Sequence, residues 1–594
     1  MRTRLLISFF FLAWVALLIR VFYLAIQSNS YYDTLSSHNT IKTELIAPIR
    51  GEIHDRNDEP IAINKLGFTI KLQPHLKHNS HSQELDETIA LLTSYLPELN
   101  ATVIRKRYVN NDSYYNHNDI SVVDFISYEK IMPVYSLLNL NDHIQVIPAP
   151  KRYYPHGDLA AHVIGYVAKA NKNDIERDEL AKLTGSTGKS GVEKYYNSYL
   201  EGLAGERRVK VSAQNEVIEE LSHAKAIENR NLTLTLDMRL QKFISENFKA
   251  RAGAVVVMGV DGEILAAGSF PEYDLNTFVS GISSKRWKEL IDNIDNPFTN
   301  KLINGLYPPG STIKTGLGLV YLSSGISQWW SVDCTGSMKL GKRNFRCWKH
   351  DGHGPTDIRK AIRESCDDYF YKGSLKVGIA DMSFGLKQFN LGNKTGVDLP
   401  NEFIGTVPSR EWKRQRFNQP WYIGETLNTS IGQGDFLVTP LQLTQFTALM
   451  ATGRLVTPHL ARKIGEEVYP PEYKDVLTPD QHAKLPIIQQ AMRQVCQAKK
   501  GTATNFMHAK VPVAGKTGTA QVIAISQEVK QRMNERDMKY YTRSHAWFTT
   551  YAPADNPQYI VTVLVEHGGH GGAAAGALVS DIYNKMIELG YIRK

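Results

Sequence analysis

Cysteine is scarce in this chain, with four in 594 residues. That density excludes a small fold stapled by disulfides. Long apolar runs are scarcer still. Beyond residues 5–26 no stretch is long and apolar enough to span a bilayer as a helix, so a second membrane-spanning helix is not expected. Acidic residues fall short of basic ones, leaving a net charge of +9. The basic residues are scattered and no RNA- or DNA-binding motif accompanies them, so nucleic acid is not the expected partner. The excess suits work near an anionic membrane or polymer. Hydrophobic content of 42% and charged content of 22% are those of a globular protein. The length exceeds what one core holds, so two or more domains are expected.

The single apolar run is interrupted only by Ser8 and Arg20. As a helix it spans roughly 33 Å against a hydrocarbon core of about 30 Å. Arg2 and Arg4 precede it, and the next basic residue after Arg20 is Lys42. This asymmetry predicts a cytoplasmic N-terminal tip with the remainder outside. No small-x-small cleavage site follows, so the run reads as a retained anchor. The expected organisation is an anchor over 1–29, a non-catalytic domain of short strands and polar loops over 30–228, and a second domain over 229–594. That last domain opens on the alternating Asn231-Leu232-Thr233-Leu234-Thr235-Leu236-Asp237. Ala254–Met258 and Ile264–Ala267 flank Asp261-Gly262, a hairpin signal. Ala546–Phe548 and Tyr559–Val565 read as further core strands. The fold class is α+β, an antiparallel sheet flanked by helices.

Three motifs stand in order in the C-terminal half: Ser311-Thr312-Ile313-Lys314, Ser365-Cys366-Asp367 and Lys516-Thr517-Gly518-Thr519. A serine and a lysine three apart on a helix share a face. A neutral lysine amine there can take the proton from a serine hydroxyl, a weak nucleophile on its own. Tyr307-Pro308-Pro309-Gly310 breaks the chain before Ser311 and apolar residues follow Lys314. Ser311 is therefore expected at the start of a buried helix, where free N–H groups favour developing negative charge. The third motif reads as a strand entered from Val511-Pro512-Val513. Gly518 within it marks a close approach by a ligand or another backbone, and Thr519 can supply an N–H to an oxyanion hole.

This set resembles the Ser-x-x-Lys, Ser-x-Asn and Lys-Thr-Gly motifs of the penicillin-binding proteins and serine β-lactamases. The resemblance implies Ser311 as acylated nucleophile, Lys314 as its base and Ser365 as a proton relay. Lys516 and Thr517, with Gly518 and Thr519 beside them, would bind the carboxylate of a D-Ala-D-Ala terminus or of a β-lactam. Asp367 stands where asparagine is usual; it keeps an acceptor that can orient Lys314. The likeness extends to Pro48–Asn57, Arg152-Tyr153-Tyr154-Pro155, Ala161–Val167 and Gly191-Val192-Glu193-Lys194. Thr429-Ser430-Ile431-Gly432-Gln433-Gly434 is similar to a family loop near the active site. Over nearly its whole length the chain resembles class B penicillin-binding proteins of the elongation type. No glycosyltransferase signature is present, which implies a monofunctional transpeptidase anchored in a bacterial inner membrane. Its expected partners are stem peptides, lipid-linked precursors, β-lactams, a SEDS-family glycan polymerase and elongation scaffold proteins. The rivals are a hydrolase of the same fold, either a carboxypeptidase or a β-lactamase, and a non-enzymatic penicillin sensor or polymerase regulator.

Three of the four cysteines, Cys334, Cys347 and Cys366, fall within thirty-three residues, with His353 among them. An exported protein commonly pairs cysteines, here Cys334 with Cys347. The four side chains equally offer a Cys₃His zinc site. Some elongation-type relatives carry zinc at this place, with aspartates where Cys334 and Cys347 stand. The resemblance thus favours a structural zinc bracing Ser365 and Asp367 from behind. Cys496 reads as a lone buried or free thiol, and His567 and His570 lie in a glycine-rich turn that is a poor frame for a metal.

Overall fold

The computed structural model describes residues 2–27, 40–77, 82–115, 118–211, 217–227, 230–523 and 534–593. The domain boundaries anticipated at 29/30 and 228/229 lie outside these residues. The chain divides into two compact units. The first comprises Met1–Gly51, Ala170–Ser186 and Glu201–Arg230. It contains helix α1, Arg2–Phe22, whose apolar side chains are exposed along its length. Among the described residues this is the one helix long and apolar enough to cross a membrane. A three-stranded antiparallel sheet sets Gly205–Val211 between Ile41–Ile46 and Val217–Ala224.

The second unit comprises Glu52–Lys169, Thr187–Leu200 and Asn231–Lys594, and it holds two main hydrophobic cores besides a small satellite. The smaller one is built on the antiparallel strands Gly67–Leu72, Ile120–Ser127 and Ile144–Pro148. Phe68, Ile70, Leu72, Val122 and Val146 meet Leu85, Leu92 and Ile104 from the helices Ser82–Tyr95 and Ala101–Asn111.

The larger core surrounds a five-stranded antiparallel sheet. Its strands are β1 (Gly253–Gly259), β2 (Ile264–Phe270), β3 (Ala514–Ala520), β4 (His545–Ala552) and β5 (Tyr559–Val565). They run in the order β2-β1-β5-β4-β3, which leaves β3 at an edge. The β1–β2 hairpin forms around Asp261-Gly262 as its residues predict, with Gly262 at φ 94°. Every residue of β1 is buried, since both faces of the sheet are covered. Thr549 Oγ1 meets Thr447 of the helix Pro440–Thr452 at 2.7 Å, and Thr550 Oγ1 meets the Tyr583 hydroxyl of the helix Gly571–Glu588 at 3.0 Å. Successive strand residues point to opposite faces, so these two helices clothe opposite sides. A continuous apolar run such as Ala254-Val255-Val256-Val257-Met258 is the sequence form of a strand covered on both faces.

Candidate active site

Ser311 lies in a 3₁₀ turn, Gly310–Ile313, that runs directly into helix α2, Lys314–Ser323. The sequence placed Ser311 at a helix start; the tighter turn eclipses residues i and i+3 and brings Ser311 and Lys314 to one side. Lys314 through Leu322 are all buried. Burying a lysine amine is costly unless it is paired, and Lys314 is paired three ways. Its Nζ donates to Asp367 Oδ1 at 2.6 Å, to the Ser365 carbonyl at 3.0 Å and to Ser365 Oγ at 3.5 Å.

Those acceptors come from the second motif, between the helix Ile358–Arg363 and helix α3, Asp367–Gln388. Ser365 sits at φ 57°, a left-handed conformation that costs a non-glycine residue of order 1 kcal/mol. Its neighbours hold it there. The Cys366 N–H donates to Ala361 O at 2.9 Å, and Asp367 is clamped from two sides. Besides Lys314, the backbone N–H of Trp348 donates to Asp367 Oδ2 at 2.9 Å. Burial pushes the Asp367 carboxyl up, while the Lys314 charge opposes that shift.

Lys516, on β3, is fully buried and donates to Ser365 Oγ at 3.0 Å and to the Thr517 carbonyl at 2.9 Å. Burial, with the Lys314 charge nearby, holds its amine well below the ordinary lysine range. Ser365 Oγ therefore stands between two lysine amines. Thr517 Oγ1 meets Thr502 Oγ1 at 2.6 Å. At Gly518 a close approach is present as the sequence indicated, and the neighbour is the nucleophile's own turn. An added Cβ would lie 2.8 Å from Thr312 Cγ2 and 3.0 Å from Pro309 O. The structure thus brings Ser311, Lys314, Ser365, Asp367, Lys516, Thr517, Gly518 and Thr519 together beside the edge of the sheet.

Behind the second motif, ligand atoms of Cys334, Cys347, His353 and Cys366 lie within 4.8 Å of one another, all four residues buried. None of the cysteines is in a disulfide, so the alternative Cys334–Cys347 bridge is not formed. His353 Nδ1 lies 3.5 Å from both Cys334 Sγ and Cys347 Sγ. The Cys347 thiol is pulled down, chiefly by a hydrogen bond from Cys366, whose own thiol is pushed up. A buried thiolate among three more soft or borderline donors suits a tetrahedral metal ion. The Asp367 N–H points at Cys347 Sγ from 3.4 Å, the outer hydrogen bond that ligating thiolates commonly receive. The residues fit a metal. His350 and Asp351 pair with each other on the surface, outside the cluster. Cys496 is a buried free thiol, and His567 Nδ1 is engaged by the Arg543 carbonyl at 3.1 Å.

Several contributors were not singled out from sequence. Trp348 is one, and its position directly after Cys347 was the only available signal. Trp547 donates its indole N–H to Pro308 O at 3.0 Å, fixing the turn before Ser311. Tyr307 donates to Glu566 Oε1 at 2.5 Å. Gln433, named only as part of a family-like loop, donates from Nε2 to the Thr519 carbonyl at 3.1 Å.

Comparison with known proteins agrees with this geometry. The penicillin binding protein transpeptidase domain matches residues 252–584, and the penicillin-binding protein dimerisation domain matches residues 45–234. Peptidoglycan D,D-transpeptidase MrdA of Haemophilus influenzae is 34% identical over 582 residues, covering 95% of this chain and 88% of that protein. Penicillin-binding protein 2 of Helicobacter pylori, solved in complex with MreC, superposes with a TM-score of 0.85 at 42% identity, covering 93% of this chain and 99% of that one. Pseudomonas aeruginosa PBP2, solved in complex with WCK 5153, gives a TM-score of 0.68 at 30% identity, covering 91% and 96%. Fold and cleft together define a penicillin-binding protein, with a dimerisation-type domain and a transpeptidase domain. Within that class the chain belongs to the peptidoglycan D,D-transpeptidase family of MrdA and penicillin-binding protein 2.

Proposed function

We propose that this transpeptidase cross-links stem peptides during cell elongation through an acyl-enzyme on Ser311. The observation that carries this reading is the convergence of two lysine amines on Ser365 Oγ, from Lys516 and from Lys314, the latter paired with Asp367 and one turn after the nucleophile. Ser311 Oγ attacks the penultimate D-Ala carbonyl as its proton passes to Lys314, which acts in this step as the neutral amine and is oriented by Asp367. Ser365 Oγ, bridging the two amines, carries a proton to the departing D-Ala nitrogen. An acceptor amine then attacks the ester carbon and releases Ser311. The backbone N–H of Thr519 faces the oxyanion. The terminal carboxylate of the donor meets Lys516 and Thr517, and this anion offsets the burial that depresses the Lys516 amine. A β-lactam carries the same carboxylate and acylates the same serine.

The Cys334, Cys347, His353 and Cys366 set is read as a zinc site. A bound ion there supplies charge and cross-linking rather than reaction chemistry, since four protein ligands leave no open position. What the chain supplies is the link from Cys347 to Trp348 and from Cys366 to Ser365 and Asp367. Helix α1 is read as a single inner-membrane anchor with a cytoplasmic tip, residues 30–228 as a pedestal, and 229–594 as the periplasmic catalytic domain. The Helicobacter pylori complex with MreC supports an elongation scaffold as partner. A structure that coordinates polymerisation and crosslinking in a peptidoglycan synthase complex, 26% identical with a TM-score of 0.71, supports a glycan polymerase as another.

Intact mass followed over time after addition of benzylpenicillin, with peptide mapping, tests the reading. The expected outcome is a long-lived adduct on Ser311 that Ser311→Ala abolishes. An adduct that decays within seconds would replace it with a β-lactamase. No adduct in folded protein would leave a scaffold or sensor.

A further inference from the structure

β3 is an edge strand, and its outward hydrogen-bonding groups are partly occupied by side chains of this same protein. The Thr517 carbonyl accepts from Lys516 Nζ, and the Thr519 carbonyl accepts from Gln433 Nε2. In an antiparallel ladder, alternate residues direct both their N–H and C=O away from the partner strand. Thr517 and Thr519 are two apart and pair with Phe548 and Ala546 of β4. Their shared orientation therefore follows from the ladder, and the Thr519 N–H faces the same outward edge. That edge lies against the nucleophile turn. A Cβ placed on Gly310, the residue before Ser311, would come within 2.9 Å of the Thr519 carbonyl oxygen and 3.3 Å of its nitrogen.

Gln433 reaches this carbonyl from a loop locked to the same turn. Gly310 N–H donates to Gly432 O at 2.9 Å. The two backbones are so close that a Cβ on Gly432 would stand 2.2 Å from Gly310 O. The Gln433 N–H is fixed to Asn428 O at 3.0 Å. A carboxamide N–H is the chemical equivalent of a peptide N–H. An extended peptide adding to the β3 edge would offer its own amide N–H to the Thr519 carbonyl, where the Gln433 side chain now stands.

We propose that Gln433 is an internal mimic of the donor peptide, a gate that a ligand bearing a backbone-like amide displaces from Thr519 as it binds. The proposal rests on the transpeptidase reading of the cleft. It makes Gln433 a specificity-determining residue. The swap of one amide donor for another is close to neutral for a peptide carrying a correctly placed N–H. A ligand that reaches the cleft without one leaves the gate shut and gains nothing at Thr519. The competing role is a brace, in which Gln433 holds the Thr519 peptide in line with Ser311.

The two roles predict opposite signs. Full-length protein in detergent is acylated with benzylpenicillin, which carries an acylamide, and with penicillanic acid, which lacks one. The rate of Ser311 adduct formation is read by intact mass across ligand concentrations. For Gln433→Ala the gate predicts benzylpenicillin acylation about 3- to 10-fold faster, the factor that one neutral hydrogen bond is worth. The gain falls in the saturation constant and not in the limiting rate, and penicillanic acid changes less than twofold. Gln433→Glu keeps the side-chain length but cannot donate, and is expected to accelerate benzylpenicillin likewise. Melting temperature checks that both variants are folded. Equal or slower acylation by benzylpenicillin in either folded variant, or equal acceleration with both ligands, overturns the gate. Wild-type protein that forms no Ser311 adduct with either ligand removes the transpeptidase reading itself, a failure separate from that of the gate.

Discussion

The second and third motifs meet at one hydroxyl, Ser365 Oγ, yet they are held by different means. Lys516, Thr517, Gly518 and Thr519 belong to β3, whose ladder with β4 fixes the register of every residue from Ala514 to Ala520. Ser365 and Asp367 sit at a left-handed bend between two helices. The excursion beside them, residues 332–356, has short two-stranded pairings, joins the main core through Val332, Cys334 and Cys347, and sends Phe345 into a small satellite core with Tyr371 and Leu427. A strand in a well-covered sheet is placed by backbone hydrogen bonds and apolar burial. The helices on either side of the bend are anchored in the main core by Ile358, Ile362, Tyr369 and Phe370, but the lightly cored excursion gains from a local staple, and the buried sulfur and imidazole cluster lies between the two. The two motifs are thus held differently, by a ladder on one side and beside a buried cluster that could hold a metal on the other.

Removing the staple should have the largest effect. Cys347→Ala is expected to lose bound metal, to melt lower, and to slow Ser311 acylation by on the order of tenfold or more. Metal analysis alongside differential scanning calorimetry checks it, and unchanged metal content would sink the zinc reading. On the ladder side, Gly518→Val forces a branched side chain against Thr312 Cγ2 and Pro309 O. Overpacking of this kind costs about 1–3 kcal/mol, and the acylation rate should fall by more than the stability loss explains.

A titration separates the two supports further. His545 opens β4 opposite Ala520, and its Nδ1 accepts the His567 N–H at 3.1 Å. Burial, with His567 nearby, pulls its pKa down to about 4, against about 6.5 unfolded. The folded state therefore binds fewer protons than the unfolded state between these values. Stability from this group is full above about pH 6.5 and is lost as pH falls toward 4. In metal-free protein, His545→Gln should flatten that part of the profile by about 2 kcal/mol, read from thermal melts at pH 4.5 and 7. A variant that leaves the slope unchanged would assign it elsewhere. The smallest effect is expected at Trp547→Phe. It removes the indole N–H from Pro308 O and leaves a smaller aromatic ring in its place, for a cost of about 1–2 kcal/mol and a modest slowing of acylation.

Much of this was legible in the chain because the signals are local. Ser311 with Lys314, the Asp261-Gly262 hairpin and the buried run through β1 each reveal themselves within a few residues, since turn chemistry and side-chain period act over that range. The clustering of Cys334, Cys347, His353 and Cys366 was foreseeable from residue types. The choice between a disulfide and a ligand set was not, because spacing does not fix the angles between Cβ atoms. Gly518 was flagged correctly as a point of close approach, but whose atoms approach depends on the fold.

By itself, then, the sequence determined which groups are candidates for the chemistry, the two-domain architecture and the long apolar helix near the N-terminus. It does so because propensity, periodicity and motif spacing are properties of neighbouring residues. Only the tertiary structure decided that Ser365 Oγ stands between two lysines 202 positions apart in the chain. The same holds for Trp547 reaching back 239 positions to Pro308, and for Gln433 capping Thr519 from 86 positions away. Such contacts arise when distant segments bury apolar surface against one sheet, and hydrogen-bond partners are then selected by proximity that no local pattern encodes.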